Sequence, residues 1–270
     1  SSVGAYVDQA EQVMAQISQT QKAVAVVNGT SGLQIALQLA GVQRGDEVIT
    51  QALTFVATAN AIHYTGAEPI FIDVDLDTMG LSPKAVEEFL QKFGEKRENG
   101  TYNKKTGKRI AACVPMHTFG FPVHLEALLR VCEEWNIPIV EDAAESLGSY
   151  YKGKHTGSFG KLGVFSFNGN KIVTCGGGGM IVTQDEELGQ LGKHLTTTAK
   201  VPHPYEYVHD QVGYNFRMPN LNAALICAQL EQLEMFLANK RALATEYATF
   251  FEGQGMKFRK ELEHTKANYW

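Results

Sequence analysis

The sequence predicts an α/β protein with a mixed, mostly parallel sheet sandwiched by helices. First, short apolar runs rich in β-branched residues alternate with segments of helical periodicity from residue 23 to about residue 142. Second, a hydrophobic content of 44% over 270 residues is enough for a substantial core. Third, the apolar runs on either side of residues 169–178 are too close for a parallel crossover, so at least one strand there should be antiparallel.

Each element of the alternation has its own signal. Apolar runs predict strands, and 3- or 4-residue spacing of apolar side chains predicts helices. A helix should begin at Ser82-Pro83, where serine is a good cap and proline suits the first turn. The predicted order is strand 23–27, helix 33–41, strand 46–51, helix 54–66, strand 68–74, helix 82–93, strand 110–116, helix 124–136, strand 137–142, strand 162–168 and strand 179–184.

The composition disfavours several classes of protein. A formal net charge of -5 and a pI near 5.9 argue against a nucleic-acid-binding protein. Apolar runs all stop short of the roughly 20 residues that cross a membrane. Four widely spaced cysteines without a CxxC pair suggest reduced thiols in the cytoplasm, and histidines without HExxH spacing suggest no metal site. The polar stretch 95–109 predicts a surface loop or a solvated hairpin.

The segment 28–32 (NGTSG) joins the first strand to the first helix. Free N–H groups at a helix start attract phosphate, and Thr30 and Ser31 add hydroxyl donors. The same pattern also fits an ordinary cap, with Thr30 or Ser31 closing the helix. The sequence contains neither GxGxxG nor GxxxxGK[ST], which disfavours a dinucleotide-binding dehydrogenase and a nucleotide-hydrolysing loop.

A strand ends in Glu141 and Asp142. The carboxyl ends of parallel strands are where α/β sheets bind ligands, and a buried carboxylate needs a cationic partner. A protonated pyridine nitrogen is one such partner. Capping of the following helix, or pairing with a basic side chain, explains Asp142 equally well.

Lys171 lies in a glycine-flanked loop between two apolar strands. It is either a solvated loop lysine or a functional amine. Cys175, with no basic residue fixed beside it, is a better packing residue than nucleophile. Among the histidines, His117 follows a strand and is the one expected to face a substrate.

Six segments in a fixed order carry a resemblance to a known family: NGTSGLQIAL, GDEVITQALTFVATANAI, EPIFIDVD, IVEDAAESLG, FSFNGNKIVTCGGGGM and GYNFRMPNLNAALICAQLE. The sequence resembles the DegT/DnrJ/EryC1/StrS family of pyridoxal-phosphate sugar aminotransferases over nearly its whole length. Six ordered matches are more specific than any single motif. The resemblance implies the fold of a type I pyridoxal-phosphate transferase, similar to aspartate aminotransferase, and pyridoxal 5'-phosphate as the cofactor.

The resemblance also implies roles for two central residues. Lys171 would hold the cofactor as a Schiff base and later move the proton in amino transfer, and Asp142 would pair with the pyridinium nitrogen. Lys171 argues against the dehydratase branch of the family, in which histidine replaces the lysine.

Five further positions match cofactor-binding residues of the family. Thr30, Ser31 and Ser166 match phosphate-binding positions, and Phe55 matches the aromatic residue that stacks on the cofactor ring. Asn215 matches a residue that reaches the phosphate from the neighbouring subunit, which implies a homodimer with shared active sites.

Two positions depart from the commonest family pattern. Glu145 stands where many members have glutamine, and GGGG stands at 176–179 where GEGG is frequent. A carboxylate facing the phenolic oxygen of the cofactor would repel it unless one of the two groups is protonated. Both departures are similar to the legionaminic-acid-pathway 4-aminotransferase branch.

The resemblance therefore implies transfer of an amino group from glutamate to a keto group, at C4, of a nucleotide-linked sugar. The expected setting is the biosynthesis of amino sugars or nonulosonic acids for surface polysaccharide. A pyridoxal-phosphate sugar dehydratase or lyase is the alternative enzyme. A homologue that binds the cofactor or a sugar nucleotide without turnover is the alternative outside catalysis.

Three regions are expected along the chain. Residues 1–218 would form the large cofactor-binding α/β domain, and the apolar spacing after Pro219 predicts one long connecting helix over 219–253. Family members continue into a smaller C-terminal domain, of which residues 254–270 would be the start. The chain begins without methionine and ends without a polar tail, so we expect both ends to be truncated.

Overall fold

The structure is a computed structural model that describes residues 4–270. Its strands are β1 (Lys22–Val26), β2 (Glu47–Gln51), β3 (Glu68–Ile72), β4 (Gly94–Arg97), β5 (Gly100–Asn103), β6 (Arg109–Val114), β7 (Val140–Asp142), β8 (Tyr150–Tyr151), β9 (Lys154–His155), β10 (Leu162–Ser166), β11 (Gly179–Thr183) and β12 (Thr265–Lys266). Its α-helices are α1 (Ala5–Ser18), α2 (Gly29–Leu39), α3 (Val56–Tyr64), α4 (Pro83–Phe93), α5 (Leu125–Glu134), α6 (Glu186–Thr196), α7 (Asn220–Leu230) and α8 (Leu233–Gly253).

The central sheet is mixed and mostly parallel, as predicted. One part has the order β1-β11-β10-β7 and the other the order β3-β2-β6, and parallel bridges Cys113 to Ile139 and Met116 to Asp142 join β6 to β7. Strand β11 runs antiparallel to both β1 and β10, and the other pairs in this run are parallel. The carboxyl ends of β7 and β10 therefore open onto the same edge of the sheet.

Helices cover both faces of this sheet, which confirms the predicted sandwich. In β1, Val24 and Val26 pack with α2 in one apolar cluster, and Ala23 and Ala25 pack with α1 and α7 in another. Successive side chains of a strand point to opposite faces, so a strand buried on both sides is apolar throughout. That is why residues 23–27 form a continuous apolar run.

The polar stretch 95–109 contains a β-hairpin, one of the two forms predicted for it. Strand β4 pairs antiparallel with β5, and β5 pairs antiparallel with the start of β6. Arg109 anchors the base of this hairpin through hydrogen bonds from its guanidinium to Asp46 at 3.1 and 2.6 Å.

The helical segment after Pro219 is two helices, so the prediction of one continuous helix over 219–253 is wrong. Helix α7 ends at Leu230 and α8 starts at Leu233. Near the junction, the N–H of Gln232 donates to the carbonyl of Gln229, a tighter i to i-3 contact than an α-helix makes. Leu230 and Leu233 are both buried in the same cluster, so the apolar spacing continues through the break and hides it in the sequence.

The last residues pack back onto residues 145–151. Strand β12 pairs with β8, and the buried side chain of Asn268 donates to the carbonyls of Glu145 and Leu147, both at 2.8 Å. The division of the chain into residues 1–218, 219–253 and 254–270 as domains stays a prediction. Over residues 4–270, no helix combines the length and apolar character needed to cross a membrane.

Candidate active site

The start of α2 follows directly from β1 and is capped by Asn28. Its side-chain Oδ1 accepts the N–H of Ser31 at 2.8 Å. The cap is thus Asn28, whereas the sequence favoured Thr30 or Ser31 for that task. Gly29 allows close approach to β10, because a Cβ added there would lie 3.0 Å from the Cβ of Ser166. The helix start and Ser166 are consequently adjacent.

Asp142 lies at the end of β7 with 3% of its surface exposed. Its Oδ2 accepts a hydrogen bond from the Thr58 hydroxyl at 2.7 Å, and its Oδ1 accepts the N–H of Ala144 at 3.1 Å. Burial raises the pKa of Asp142 above its ordinary value, although these hydrogen bonds oppose the shift. Both hydrogen-bond partners are neutral, so the carboxylate could still accept a cationic partner.

Lys171 is not a solvated loop lysine. Its side chain is 12% exposed, and its Nζ lies 3.8 Å from Oε1 of Glu145. The ammonium also lies 4.5 Å from the ring centroid of Trp270. Burial lowers the pKa of Lys171, and the negative charges of Glu145 and Asp142 oppose that shift.

These elements surround a cavity of about 340 Å³, a volume within the usual range for small-molecule sites. Its lining consists of Asn28, Gly29, Thr30, Leu33, Phe55, Ala57, Met116, Asp142, Ala144, Glu145, Ser166, Asn168, Asn170, Lys171 and Trp270. Six of the predicted site residues are in this lining: Thr30, Phe55, Asp142, Glu145, Ser166 and Lys171. The ring of Phe55 stands at the rim, 65% exposed, just before α3.

Two predicted residues lie outside the lining. Ser31 is in the first turn of α2, next to Thr30, with its N–H committed to Asn28. Asn215 is exposed, and its Oδ1 accepts a hydrogen bond from Nε of Arg217 at 3.1 Å. The predicted contact of Asn215 with a neighbouring subunit stays a prediction.

His117 does not face the cavity, so the expectation that it meets a substrate is wrong. It is fully buried, and its Nε2 lies 2.9 Å from Oε2 of Glu141. The N–H of Val123 lies 3.3 Å from Nδ1, so a ring with its proton on Nε2 satisfies both contacts. This histidine holds the loop after β6 against β7.

Glu141 is also fully buried, beside Asp142 on the same strand. Its carboxylate accepts the backbone N–H groups of Gly157, Phe159 and Gly160 at 2.6 to 2.7 Å, in addition to His117. Burial alone would raise its pKa, but these hydrogen bonds outweigh burial and the pKa of Glu141 lies below its ordinary value.

Several residues of the site escaped the sequence analysis. Asn28 had a detectable signal, since asparagine before Gly-Thr-Ser is a preferred cap. Thr58 had a weaker one, because it lies three residues after Phe55 and so on the same face of a helix. Trp270 had none, since its approach to Lys171 depends on how residues 254–270 return to the sheet.

A second polar cluster forms between segments that are distant in the sequence. Ligand-type atoms of Asp75, Asp77 and His124 lie within 4.8 Å of one another, and Nε2 of His124 lies 2.9 Å from Asp77. The guanidinium of Arg259 donates to the backbone carbonyls of Leu76 and Asp77. A cationic side chain of the protein therefore lies beside this cluster.

A comparison with known proteins matches the model of the DegT/DnrJ/EryC1/StrS aminotransferase family over residues 1–270. The chain belongs to this family. It is 38% identical over 269 residues to EpsN of Bacillus subtilis, assigned as a pyridoxal phosphate-dependent aminotransferase, and 38% identical over 272 residues to GDP-perosamine synthase of Escherichia coli O157:H7. These alignments cover 99% and 100% of the chain but 66% and 69% of the relatives, so the chain spans about two thirds of their length.

Solved structures give the same fold. A DegT/DnrJ/EryC1/StrS aminotransferase from Brucella abortus matches with a TM-score of 0.89 and 26% identity, over 99% of this chain and 69% of that one. The predicted type I pyridoxal-phosphate transferase fold is thereby confirmed. Family membership also makes pyridoxal 5'-phosphate the cofactor.

The cavity offers the groups that this cofactor needs. A helix start with Thr30 and Ser166 suits a phosphate, and the buried carboxylate of Asp142 has room for a cationic ring nitrogen. The amine of Lys171 lies at the same cavity and can react with an aldehyde. The residues present therefore fit the cofactor.

Proposed function

We propose that the protein is an aminotransferase that moves an amino group from glutamate to a keto group of a nucleotide-linked sugar. The observation that supports this most strongly is the meeting of Lys171 and Asp142 at one cavity. The lysine is shielded from water and the aspartate has only neutral hydrogen-bond partners. A shielded lysine and a buried aspartate without a cationic hydrogen-bond partner are each unfavourable alone. A bound pyridinium aldehyde stabilises both, because its aldehyde bonds to the lysine and its ring nitrogen pairs with the aspartate.

In this proposal the lining residues, together with Ser31 in the first turn of α2, each bind one part of the cofactor. Thr30, Ser31, Ser166 and the free N–H groups at the start of α2 bind the phosphate. Phe55 would hold the ring by stacking, and Glu145 would contact it from the cavity lining. Asp142, held by Thr58 and Ala144, keeps the ring nitrogen protonated.

When bound, the protonated ring withdraws electrons from the bonds at the carbon that carries the amine. Lys171 is the residue that bonds to the cofactor aldehyde. As a free amine, its Nζ accepts the proton from the α-carbon of the amino donor and returns it at a neighbouring carbon. Burial favours this role because it lowers the pKa of Lys171 and so increases the neutral form.

The finer features of the substrate are part of the proposal. A relative with 38% identity is named for making GDP-perosamine, a nucleotide-linked amino sugar, which supports a nucleotide sugar as acceptor. We propose amination at C4, in amino-sugar or nonulosonic acid biosynthesis for surface polysaccharide. Glu145 and the glycines at 176–179, which depart from the commonest family pattern, support the legionaminic-acid-pathway 4-aminotransferase branch of the family.

We further propose a cytoplasmic homodimer with shared active sites. Asn215 is exposed and lies outside the lining of its own cavity, which supports a contact with the partner's phosphate site. Exposed apolar side chains nearby in the sequence supply a surface for association: Val212 at 80%, Leu221 at 83% and Leu225 at 48%. Four unpaired, buried cysteines support a reducing compartment.

The visible spectrum of the purified protein before and after addition of glutamate tests the activity. We expect a yellow protein that bleaches with glutamate. A panel of nucleotide-linked keto-sugars is then offered to the protein, and mass analysis of the products should identify the acceptor. Colour without bleaching would support a lyase or a binding homologue. Lys171→Ala is the control and should neither acquire the colour nor turn over, and full turnover by this variant would remove Lys171 from its role.

A further inference from the structure

Two carboxylates and one lysine face the cavity, and the pair formed by Glu145 and Lys171 is its least explained feature. Their atoms Oε1 and Nζ lie 3.8 Å apart. The charged groups that act on Glu145 are Lys171 and Asp142, and those that act on Lys171 are Glu145 and Asp142. Glu145, Lys171 and Asp142 therefore form one group of interacting charges at the cavity.

The structure holds the Glu145 side chain in one orientation. Its Oε2 accepts the N–H of Phe119 at 2.8 Å, and its own backbone carbonyl accepts Nδ2 of Asn268 at 2.8 Å. Phe119 has a positive φ of 55°, uncommon for a residue with a side chain. With Oε2 occupied, Oε1 is the oxygen that faces Lys171.

Two aromatic rings lie against this pair. The Trp270 ring lies 4.5 Å from Nζ of Lys171 and is stacked on Phe119, with centroids 6.4 Å apart and planes at 9°. The Lys171 and Glu145 side chains are 12% and 7% exposed. In such a site two separated charges are less favourable than in water, whereas two neutral partners lose little.

The directions of the pKa shifts agree with this geometry. Burial lowers the pKa of Lys171 and raises the pKa of Glu145. The two values move toward each other, which lowers the free-energy cost of passing a proton from the amine to the carboxylate.

We propose that Glu145 is the proton acceptor for the Lys171 ammonium. An N–H bond at Nζ breaks and an O–H bond at Oε1 forms, leaving a neutral amine and a neutral carboxylic acid. The lysine thus becomes nucleophilic and basic without losing a proton to water. This inference rests on the proposed function only in that amino transfer needs the neutral amine.

The test measures how fast Lys171 of the cofactor-free protein captures added pyridoxal 5'-phosphate, followed by visible absorbance over a range of pH. A pair that shares one proton has a pH-independent fraction of neutral amine between its two macroscopic pKa values. In Glu145→Gln the amine must lose its proton to water, so its neutral fraction rises about tenfold per pH unit below the pKa. The rate ratio of Glu145→Gln to wild type should therefore rise by about tenfold per pH unit, and the cofactor's own titration cancels in that ratio.

Glu187→Gln is the matched control, because Glu187 is exposed on α6 away from the cavity. Its rate ratio to wild type should stay near one at every pH. A flat ratio for Glu145→Gln would overturn the inference. If Glu145→Gln does not fold, the capture rate of the wild-type protein is compared over pH with that of Nα-acetyllysine. Two pH profiles of the same slope would also overturn the inference. Absence of capture by the wild-type protein would instead contradict the proposed function.

Discussion

Glu141 and Asp142 are consecutive carboxylates on one strand, both buried, and they are stabilised in opposite ways. Glu141 accepts four hydrogen bonds, one from His117 and three from backbone N–H groups, and its pKa is lowered. Asp142 faces the cavity with two neutral donors, and its pKa is raised. Since neighbours on a strand point to opposite faces, one sequence pair supplies a structural carboxylate and a functional one.

Of the changes that separate these two carboxylates, removal of the Asp142 charge should have the largest effect, and the effect should be on activity. Asp142→Asn keeps the shape but cannot stabilise a protonated ring nitrogen. We expect the rate of amino transfer to fall by about 10²–10³-fold, the usual cost of removing one preorganised electrostatic contact. The free energy of unfolding of the cofactor-free protein should change by less than about 1 kcal/mol, because both hydrogen-bond partners of Asp142 are neutral.

The corresponding change at Glu141 should act on stability. Glu141→Gln replaces two acceptor oxygens by one and places an amide NH₂ against backbone donors. We expect a loss of about 3 kcal/mol in the free energy of unfolding, measured with urea, since buried backbone N–H groups lose a charged acceptor. A variant as stable as wild type would contradict the role assigned to Glu141.

The pH dependence of stability should separate the two carboxylates by sign. The lowered pKa of Glu141 stabilises the fold above its unfolded pKa, and this contribution is lost as the pH falls through the folded value. Asp142 has a raised pKa in the cofactor-free protein, so its contribution is present below its unfolded pKa and is lost as the pH rises through the folded value. Urea unfolding from about pH 3 to about pH 7 should show the effect of Glu141→Gln shrinking in acid and any gain from Asp142→Asn appearing only toward neutral pH.

The smallest expected effect concerns two helix caps, one at the cavity and one away from it. Asn28 caps α2 at the cavity, and Asp185 caps α6 away from it through a 3.0 Å bond to the N–H of Leu188. Alanine at either position should cost about 1 kcal/mol of unfolding free energy. Only Asn28→Ala should also weaken the binding of pyridoxal 5'-phosphate, measured by fluorescence titration, and equal affinities in both variants would contradict a phosphate site at α2.

The parts of the site that the sequence predicts are those that local patterns determine. Asp142 lies at the end of an apolar strand, Lys171 in the loop after another, and Thr30 at the start of a helix. Their positions along these elements, which can be read from the sequence, are enough to predict that they lie at the cavity. The orientation of a side chain after a strand ends is not local, which is why His117 was expected in the cavity and lies behind it. The packing of Trp270 on Phe119, and the break between Leu230 and Leu233, depend on tertiary contacts that keep the local spacing unchanged.

The most direct test of the account is to find which atom of the protein bonds to the cofactor. The protein is incubated with pyridoxal 5'-phosphate, reduced with borohydride, digested and analysed by mass spectrometry. We predict one dominant modified peptide, with the cofactor on Nζ of Lys171, and its loss when glutamate is added before reduction. Modification spread over surface lysines, or unchanged labelling of Lys171 after glutamate, would contradict the account.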